Sequence, residues 1–226
     1  MALIPGTIGA APIQNIGAYG VEIEDVVEDV FAFNIETSEK KIFSKDECKF
    51  GYRESIFKNE LKDKYFISAL VIKLSKVPKV NLSYKDLNEY FEKNNIEKNN
   101  IKNISDAVIE IRQSKLPDTK VLGSAGSFFK NVFIEKDILK KLLEKFPELP
   151  YFEEGDVYKI PAGWLIESCN WKGRVVGNTG VYEHQALVVV NHGGASGVEI
   201  KNLVDQIIDS VEQKFGLILV PEVNII

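Results

Sequence analysis

From Ser196 to Gly216 the chain is committed to one long amphipathic helix, and the rest of the sequence must give that helix something apolar to lie on. Ser196-Gly-Val-Glu199 is a capping box, in which each side chain satisfies a backbone N–H of the other end. Leu203, Ile207, Val211 and Phe215 then form one apolar stripe, and Gly216 is the residue suited to the left-handed turn that ends a helix. On its N-terminal side Gln185 to Val190 reads as a buried strand, and on its other side Leu217 to Ile226 reads as a last strand. Glu222 stands among the apolar residues of that strand, so it is either at an edge facing water or buried with a partner.

Composition narrows the function classes. The chain has 226 residues, 45% of them hydrophobic, enough for one large domain or two small ones with a sizeable core. A net charge of −5 and the lack of a dense Lys/Arg run argue against nucleic acid or an anionic membrane as partner. No apolar run approaches the roughly 18 residues that a membrane span needs. Cys48 and Cys169 lie far apart and read as reduced thiols of a cytoplasmic protein. His184 and His192 have no cysteine or acidic cluster at ligand spacing, so no metal site is expected.

Residues 1–20 carry glycines at 6, 9, 17 and 20, interleaved with Ile4, Ile8, Ile13 and Ile16, and keep neither helical nor strand period. Such a loop either offers backbone amides to phosphates or a flat ring, or is a tight turn packed by small residues. It has the character of an interior segment, so further sequence is expected upstream of Met1. Val26 to Ile35 predicts a strand that turns at 37–41 and returns through Ile42-Phe43, and Ser44-Lys-Asp-Glu47 predicts a capped turn. Arg53, beside Gly51 and Tyr52, is either a planar fork for a carboxylate or an ordinary surface residue. Tyr65 to Leu74 predicts another strand, Pro78 a break, 79–84 a short extended piece, and Tyr84 to Phe91 a helix with an exposed polar run at 92–103 behind it. Ser105 is the expected N-cap of a helix over Asp106 to Ser114, stopped by Pro117. Ile138, Leu142, Leu143 and Phe146 predict the apolar face of a further helix, ended by Pro147, and Ala162 to Cys169 predicts a short one.

Gly123-Ser-Ala-Gly-Ser-Phe-Phe-Lys-Asn131 collects a hydroxyl, two glycines, an aromatic pair, a cation and an amide in nine positions. It is either a hairpin turn opening an aromatic strand or a site in which Ser127 is held on a turn, outside any ladder.

Several of these stretches together resemble the UDP-N-acetylenolpyruvoylglucosamine reductase (MurB) family. They are Ile4 to Gly20, Cys48 to Lys58, Lys115-Leu-Pro-Asp118, Gly126 to Asn131, Ala162 to Ile166, Gln185 to Asn191 and Phe215 to Val223, and the Tyr84 segment is similar to the longer, type I members. The resemblance implies an α+β flavoprotein: residues 1–110 as the second part of a two-lobed FAD-binding domain, 117–216 as the substrate-binding domain, and 217–226 as a strand carrying Glu222. The family's first lobe, with its glycine-rich pyrophosphate loop, is not in this sequence. Smaller departures are Val132, where a proline usually follows the asparagine, and Tyr182, near a position where histidine is common.

The same resemblance implies NADPH as hydride donor, FAD as carrier and UDP-N-acetylglucosamine enolpyruvate as acceptor, in a cytoplasmic monomer serving peptidoglycan synthesis. By position, Arg53 and Glu222 would stabilise charge on the enolpyruvyl carboxylate and Ser127 would protonate the α-carbon. Glu222 could serve an anion only when it holds or shares a proton. Ile4, Pro5, Gly6, Gly9, Ala10, Gln14, Asn15, Gly17, Tyr19, Gly20 and Tyr52 would meet the flavin. Tyr84, Arg112, Lys115, Lys130, Asn131 and Gln185 would hold the substrate. The competing expectation is a non-catalytic chain that binds the sugar nucleotide but cannot retain FAD.

Overall fold

The computed structural model describes residues 1–77, 81, 82, 84–98 and 100–225. They form two compact α+β units, Met1–Arg112 and Gln113–Ile226. The expectations at Pro78 and at positions 79, 80 and 83 lie outside the described residues.

The first unit begins with a 3-10 turn at Ile8–Ala10 and a small hairpin of β1 (Gly17–Ala18) and β2 (Val21–Glu22). Its main sheet is antiparallel: β3 (Val27–Asn34) runs between β4 (Lys40–Ser44) and β5 (Tyr65–Ile72). The predicted hairpin is therefore present, and Ser44 and Glu47 exchange side-chain-to-backbone bonds over a turn at Asp46–Cys48. Strict alternation would put Val27 and Val30 on opposite faces, yet both are buried. A bulge resolves this, because Val27 and Asp29 on β3 stand opposite the consecutive residues Ile72 and Val71 of β5. The core below is Val27, Val30, Ala32, Phe43, Cys48, Phe57 and Ile67, with the Phe43 ring edge-on to Phe57 at 5.0 Å and Tyr65 at 5.1 Å.

Two helices, α1 (Lys85–Asn94) and α2 (Ile101–Lys115), close a second cluster through Leu87, Phe91, Ala107, Val108 and Ile111. Ser105 is not the N-cap that the sequence suggested but an interior residue of α2. The helix starts a turn earlier because Ile104 packs into that cluster, and the Asn100 side chain accepts the Lys102 N–H at 2.8 Å instead. The C-terminal end falls at Lys115, just ahead of Pro117, as expected.

The second unit has a four-stranded antiparallel sheet ordered β10-β11-β12-β6, from β6 (Gly123–Ser127), β10 (Val175–Val176), β11 (Thr179–Val181) and β12 (Val188–Asn191). A three-stranded sheet is made by β7 (Val132–Ile134), β8 (Phe152–Glu154) and β9 (Val157–Ile160), with β9 central. Three helices, α3 (Lys136–Lys145), α4 (Ala162–Ser168) and α5 (Gly197–Phe215), pack around one core. The long helix α5 has both bonds of its capping box, buries Leu203, Ile207, Val211 and Phe215 with Val204, and ends on Gly216 at φ 68°. In α3 the buried residues are Leu139 and Leu142, while Ile138 is 44% exposed, so the face is rotated from the expected one. Among the described residues the C-terminal segment forms no regular strand. A single bridge joins Phe129 to Pro221, and Pro221 has no N–H with which to continue a ladder.

Candidate active site

In the first unit the glycine-rich loop is fastened from below by Asn15, which is fully buried and held at φ 47°. Its amide nitrogen donates to Glu22 Oε2 at 2.9 Å, Glu24 Oε1 at 2.9 Å and the Gly51 carbonyl at 3.1 Å, while its Oδ1 accepts the Glu24 N–H. Ser55, also buried, donates its hydroxyl to the Ile13 carbonyl at 2.6 Å, so the 13–24 and 51–55 loops are tied twice. The tight return Gly51–Glu54 delivers Arg53 in a left-handed backbone at φ 55°.

Arg53 is built into this loop. Its Nη1 lies 2.7 Å from Glu22 Oε1 and donates to the Asn15 carbonyl at 3.4 Å; its Nη2 donates to the Gly17 carbonyl at 2.7 Å, and its guanidinium lies over the Tyr52 ring. Lys58 Nζ donates to the Arg53 carbonyl and to Gln14 Oε1. Burial holds the Glu22 carboxyl above its ordinary value against the opposing pull of Arg53, and Glu24 adds to the rise. Gly17 is required here, since a Cβ would come within 2.7 Å of both Glu22 Cγ and the Val21 carbonyl oxygen. At Gly9 a Cβ would meet the Ile67 carbonyl oxygen at 2.8 Å. The outer side of the loop is different: Gly6 has φ 104° with open space about it, and Leu3 and Ile8 are exposed.

Ile4, Pro5 and Ala10 belong to this outer loop, and Gly20 accepts an amide bond from Asn81 at 2.9 Å. The Tyr19 and Tyr84 rings lie tilted against one another with centroids 5.0 Å apart. Burial pushes the Tyr19 hydroxyl up to about 12, against the pull of Arg112, and raises Tyr84 as well. Arg112 donates to the Leu3 carbonyl at 3.3 Å.

In the second unit Ser127 is not on a turn outside the ladder. It ends β6 in register with Val188, after a bulge in which three steps along β6 match two along β12. Gly126, at φ 80°, makes that bulge, and the Ser127 residue is left exposed. Immediately beyond it Phe128 and Phe129 are buried, with the Phe128 N–H donating to the Leu187 carbonyl at 2.7 Å. The C-terminal segment comes alongside: the Lys130 N–H donates to the Val220 carbonyl at 2.9 Å, and the Glu222 N–H donates to the Phe128 carbonyl at 2.7 Å. Ser127 and Glu222, 95 positions apart in the sequence, are thereby brought beside one another along the backbone.

Asn131 and Gln185 each come to the start of α4. Asn131 Oδ1 accepts the Ala162 N–H at 3.1 Å, and Gln185 Oε1 lies where a Cβ on Gly163 would be 3.3 Å away. Lys115 is half-buried at the end of α2. Sequence reasoning missed Glu22 and Glu24. Their signal was two acids closing an otherwise apolar, glycine-rich loop, but no spacing rule links them to an arginine 31 positions away.

Residues 117–226 match the family model for the C-terminal domain of UDP-N-acetylenolpyruvoylglucosamine reductase. Over its whole length the chain is 50% identical to the UDP-N-acetylenolpyruvoylglucosamine reductase of Flavobacterium johnsoniae, covering 68% of that protein. It is 47% identical to that of Bdellovibrio bacteriovorus over 96% of the chain and 64% of the relative. The crystal structure of the Thermus caldophilus reductase (MurB) shares the fold, with a TM-score of 0.61 at 22% identity over 99% of this chain and 61% of that one. The chain spans about two thirds of the length of the curated relatives it matches. It belongs to the UDP-N-acetylenolpyruvoylglucosamine reductase family.

Proposed function

We propose that the chain serves the NADPH-dependent reduction of UDP-N-acetylglucosamine enolpyruvate, a cytoplasmic step of peptidoglycan synthesis, with FAD as the intermediate carrier. The observation that carries this proposal is the bond from Glu222 to Phe128, which sets a carboxylate residue beside the exposed Ser127. The bond joins two segments far apart in the sequence, each of which carries a group suited to proton transfer.

The residues fit a flavin. An open Gly6 at φ 104° with exposed Leu3 and Ile8 lets a flat ring approach the backbone, over a loop that Asn15 and Ser55 hold rigid. Ile4, Pro5, Gly9, Ala10, Gln14, Gly17, Tyr19, Gly20 and Tyr52 would complete that surface. Bound FAD would supply the hydride taken from NADPH.

Arg53 would present a fixed cation to the substrate carboxylate, where negative charge grows as the double bond is reduced. Glu222 would work at the same carboxylate in its protonated form, and Ser127 would give its proton to the α-carbon. Lys115, Lys130 and Arg112 suit the diphosphate, and Asn131, Gln185 and Tyr84 the sugar and uridine groups.

Purified protein mixed with FAD and passed through a desalting column decides the matter first: retained flavin absorbance is expected. Turnover of the enolpyruvyl substrate by the loaded protein should then fall on Ser127→Ala. Loss of all flavin, with the sugar nucleotide still bound, would favour the non-catalytic binding chain instead. That second reading draws on the third of the relatives' length that this chain does not match.

A further inference from the structure

We propose that Glu22 is a positioning residue, which aims the Arg53 guanidinium by holding its Nη1 group. This rests on Arg53 serving as the carboxylate fork of the proposed function. The geometry has three parts. Glu22 divides its carboxylate between two partners, one oxygen on Arg53 Nη1 at 2.7 Å and the other on Asn15 Nδ2 at 2.9 Å. Asn15 is fully buried and is itself fixed by Glu24 and Gly51, so the carboxylate is clamped from the side away from Arg53. Gly17 leaves no room for a Cβ between Glu22 and Arg53, and its own carbonyl takes the second arm of the fork at 2.7 Å. A simple surface ion pair needs none of this, and the side chains here are only 16% and 27% exposed.

An arginine delivered on a left-handed backbone, with a long flexible side chain, has many rotamers to lose. Fixing it beforehand saves that loss when a carboxylate arrives. Glu22 also sets a limit on the charge of the site, since the ion pair persists only while Glu22 is ionised. The charged groups around it are Arg53, Glu24 across Asn15, and Asp25, whose carboxylate accepts the Glu22 N–H at 2.8 Å; Lys58 reaches the Arg53 carbonyl. Burial raises the Glu22 carboxyl, so protonation begins above the ordinary glutamate range.

The test uses 15N-labelled protein without ligand, reading exchange of the Arg53 Nη protons by NMR. In Glu22→Gln, which keeps an acceptor for Asn15, those protons should exchange roughly ten- to a hundredfold faster, the change that loss of one charge-assisted hydrogen bond brings. The Asn15 side-chain signals and the β3 amides should stay in place. In the unmodified protein the protection of those protons, taken relative to free arginine at the same pH, should fall by a similar factor as acidification protonates Glu22. Unchanged Arg53 protection in both experiments overturns the proposal, as does loosening that spreads through the β3 amides, which would make Glu22 a prop of the fold. Should Glu22→Gln fail to fold, the titration of the unmodified protein decides alone. Neither measurement involves flavin or turnover, so its failure and a failure of the reductase function are told apart.

Discussion

The backbone N–H of Glu222 donates to the carbonyl of Phe128 at 2.7 Å, so the end of the chain is stitched to the residue that follows Ser127. With the Lys130 to Val220 bond it makes a two-bond clasp around the Phe129–Pro221 bridge. Truncation after Leu219 removes both bonds while leaving Leu219 in the core. At about 1 kcal/mol net for each bond, the second unit should lose at least roughly 2 kcal/mol, and the packing of Val223 on the core goes as well. In a unit of this size that lowers Tm by about 6–12 °C, measurable by calorimetry. Turnover should vanish with Glu222, and an unaltered Tm would show that the clasp does not hold in solution.

Ser127→Ala separates chemistry from stability. The residue is exposed at the end of β6. Unfolding free energy should change by no more than about 0.5 kcal/mol. Turnover by flavin-loaded protein should fall about 10²- to 10⁴-fold, the usual worth of a positioned proton donor. A variant with normal turnover would remove Ser127 from the reaction.

The sequence made the local parts of this fold legible where a short-range rule governs them. The capping box Ser196–Glu199 and the Gly216 stop delimit α5 correctly because both are bonds within four residues of a helix end. Ser105 misled because an N-cap residue type is also tolerated inside a helix, and the packing of Ile104 decided the start. The bulge at Gly126 was hidden for a related reason: whether a glycine makes a turn or a bulge depends on the partner strand, which lies 60 residues on. Family resemblance singles out Arg53, Ser127 and Glu222 as candidate residues, but it does not single out Glu22. Its role comes from a clamp assembled by Asn15, Gly17 and Arg53, and nothing local in Val21 to Asp25 announces it.

Gly17→Ala tests how tightly the loop is packed. A Cβ would meet Glu22 Cγ and the Val21 oxygen at 2.7 Å and Arg53 Nη1 at 3.2 Å. The Val21 oxygen is backbone and cannot swing aside, so the hairpin must open. A destabilisation of roughly 1–3 kcal/mol of the first unit is expected by denaturant titration, in line with overpacked sites. Flavin retention should fall with it. The control for stability alone is Gly6→Ala, which finds open space and suffers only the positive-φ backbone penalty.

The two thiols should differ sharply in reactivity and in what they do to stability at high pH. Cys48 is fully buried in the first core, and burial, with Glu47 and Asp29 adding, pushes its thiol up to about 12. At pH 8 only roughly one such thiol in ten thousand is ionised, and the thiolate is the reactive form. Cys169 is half-buried; burial raises it too, with Lys214 opposing. A disulfide reagent should therefore titrate one thiol per chain in the native state, and two after denaturation. Folded Cys48 holds its proton more tightly than the unfolded residue, whose pKa is about 8.5. Its contribution is complete below about pH 8.5 and is lost as pH rises towards about 12. Cys48→Ala should make the decline that starts near pH 8.5 shallower, measured relative to its own neutral value, with the remainder coming from Cys169, whose thiol burial also raises. Above about pH 10 a slope should remain, because Tyr19 is also raised to about 12 and an unfolded tyrosine ionises near 10. Equal alkaline slopes for the two proteins between pH 8.5 and 10 would show that Cys48 ionises in the folded state as easily as it does in the open chain.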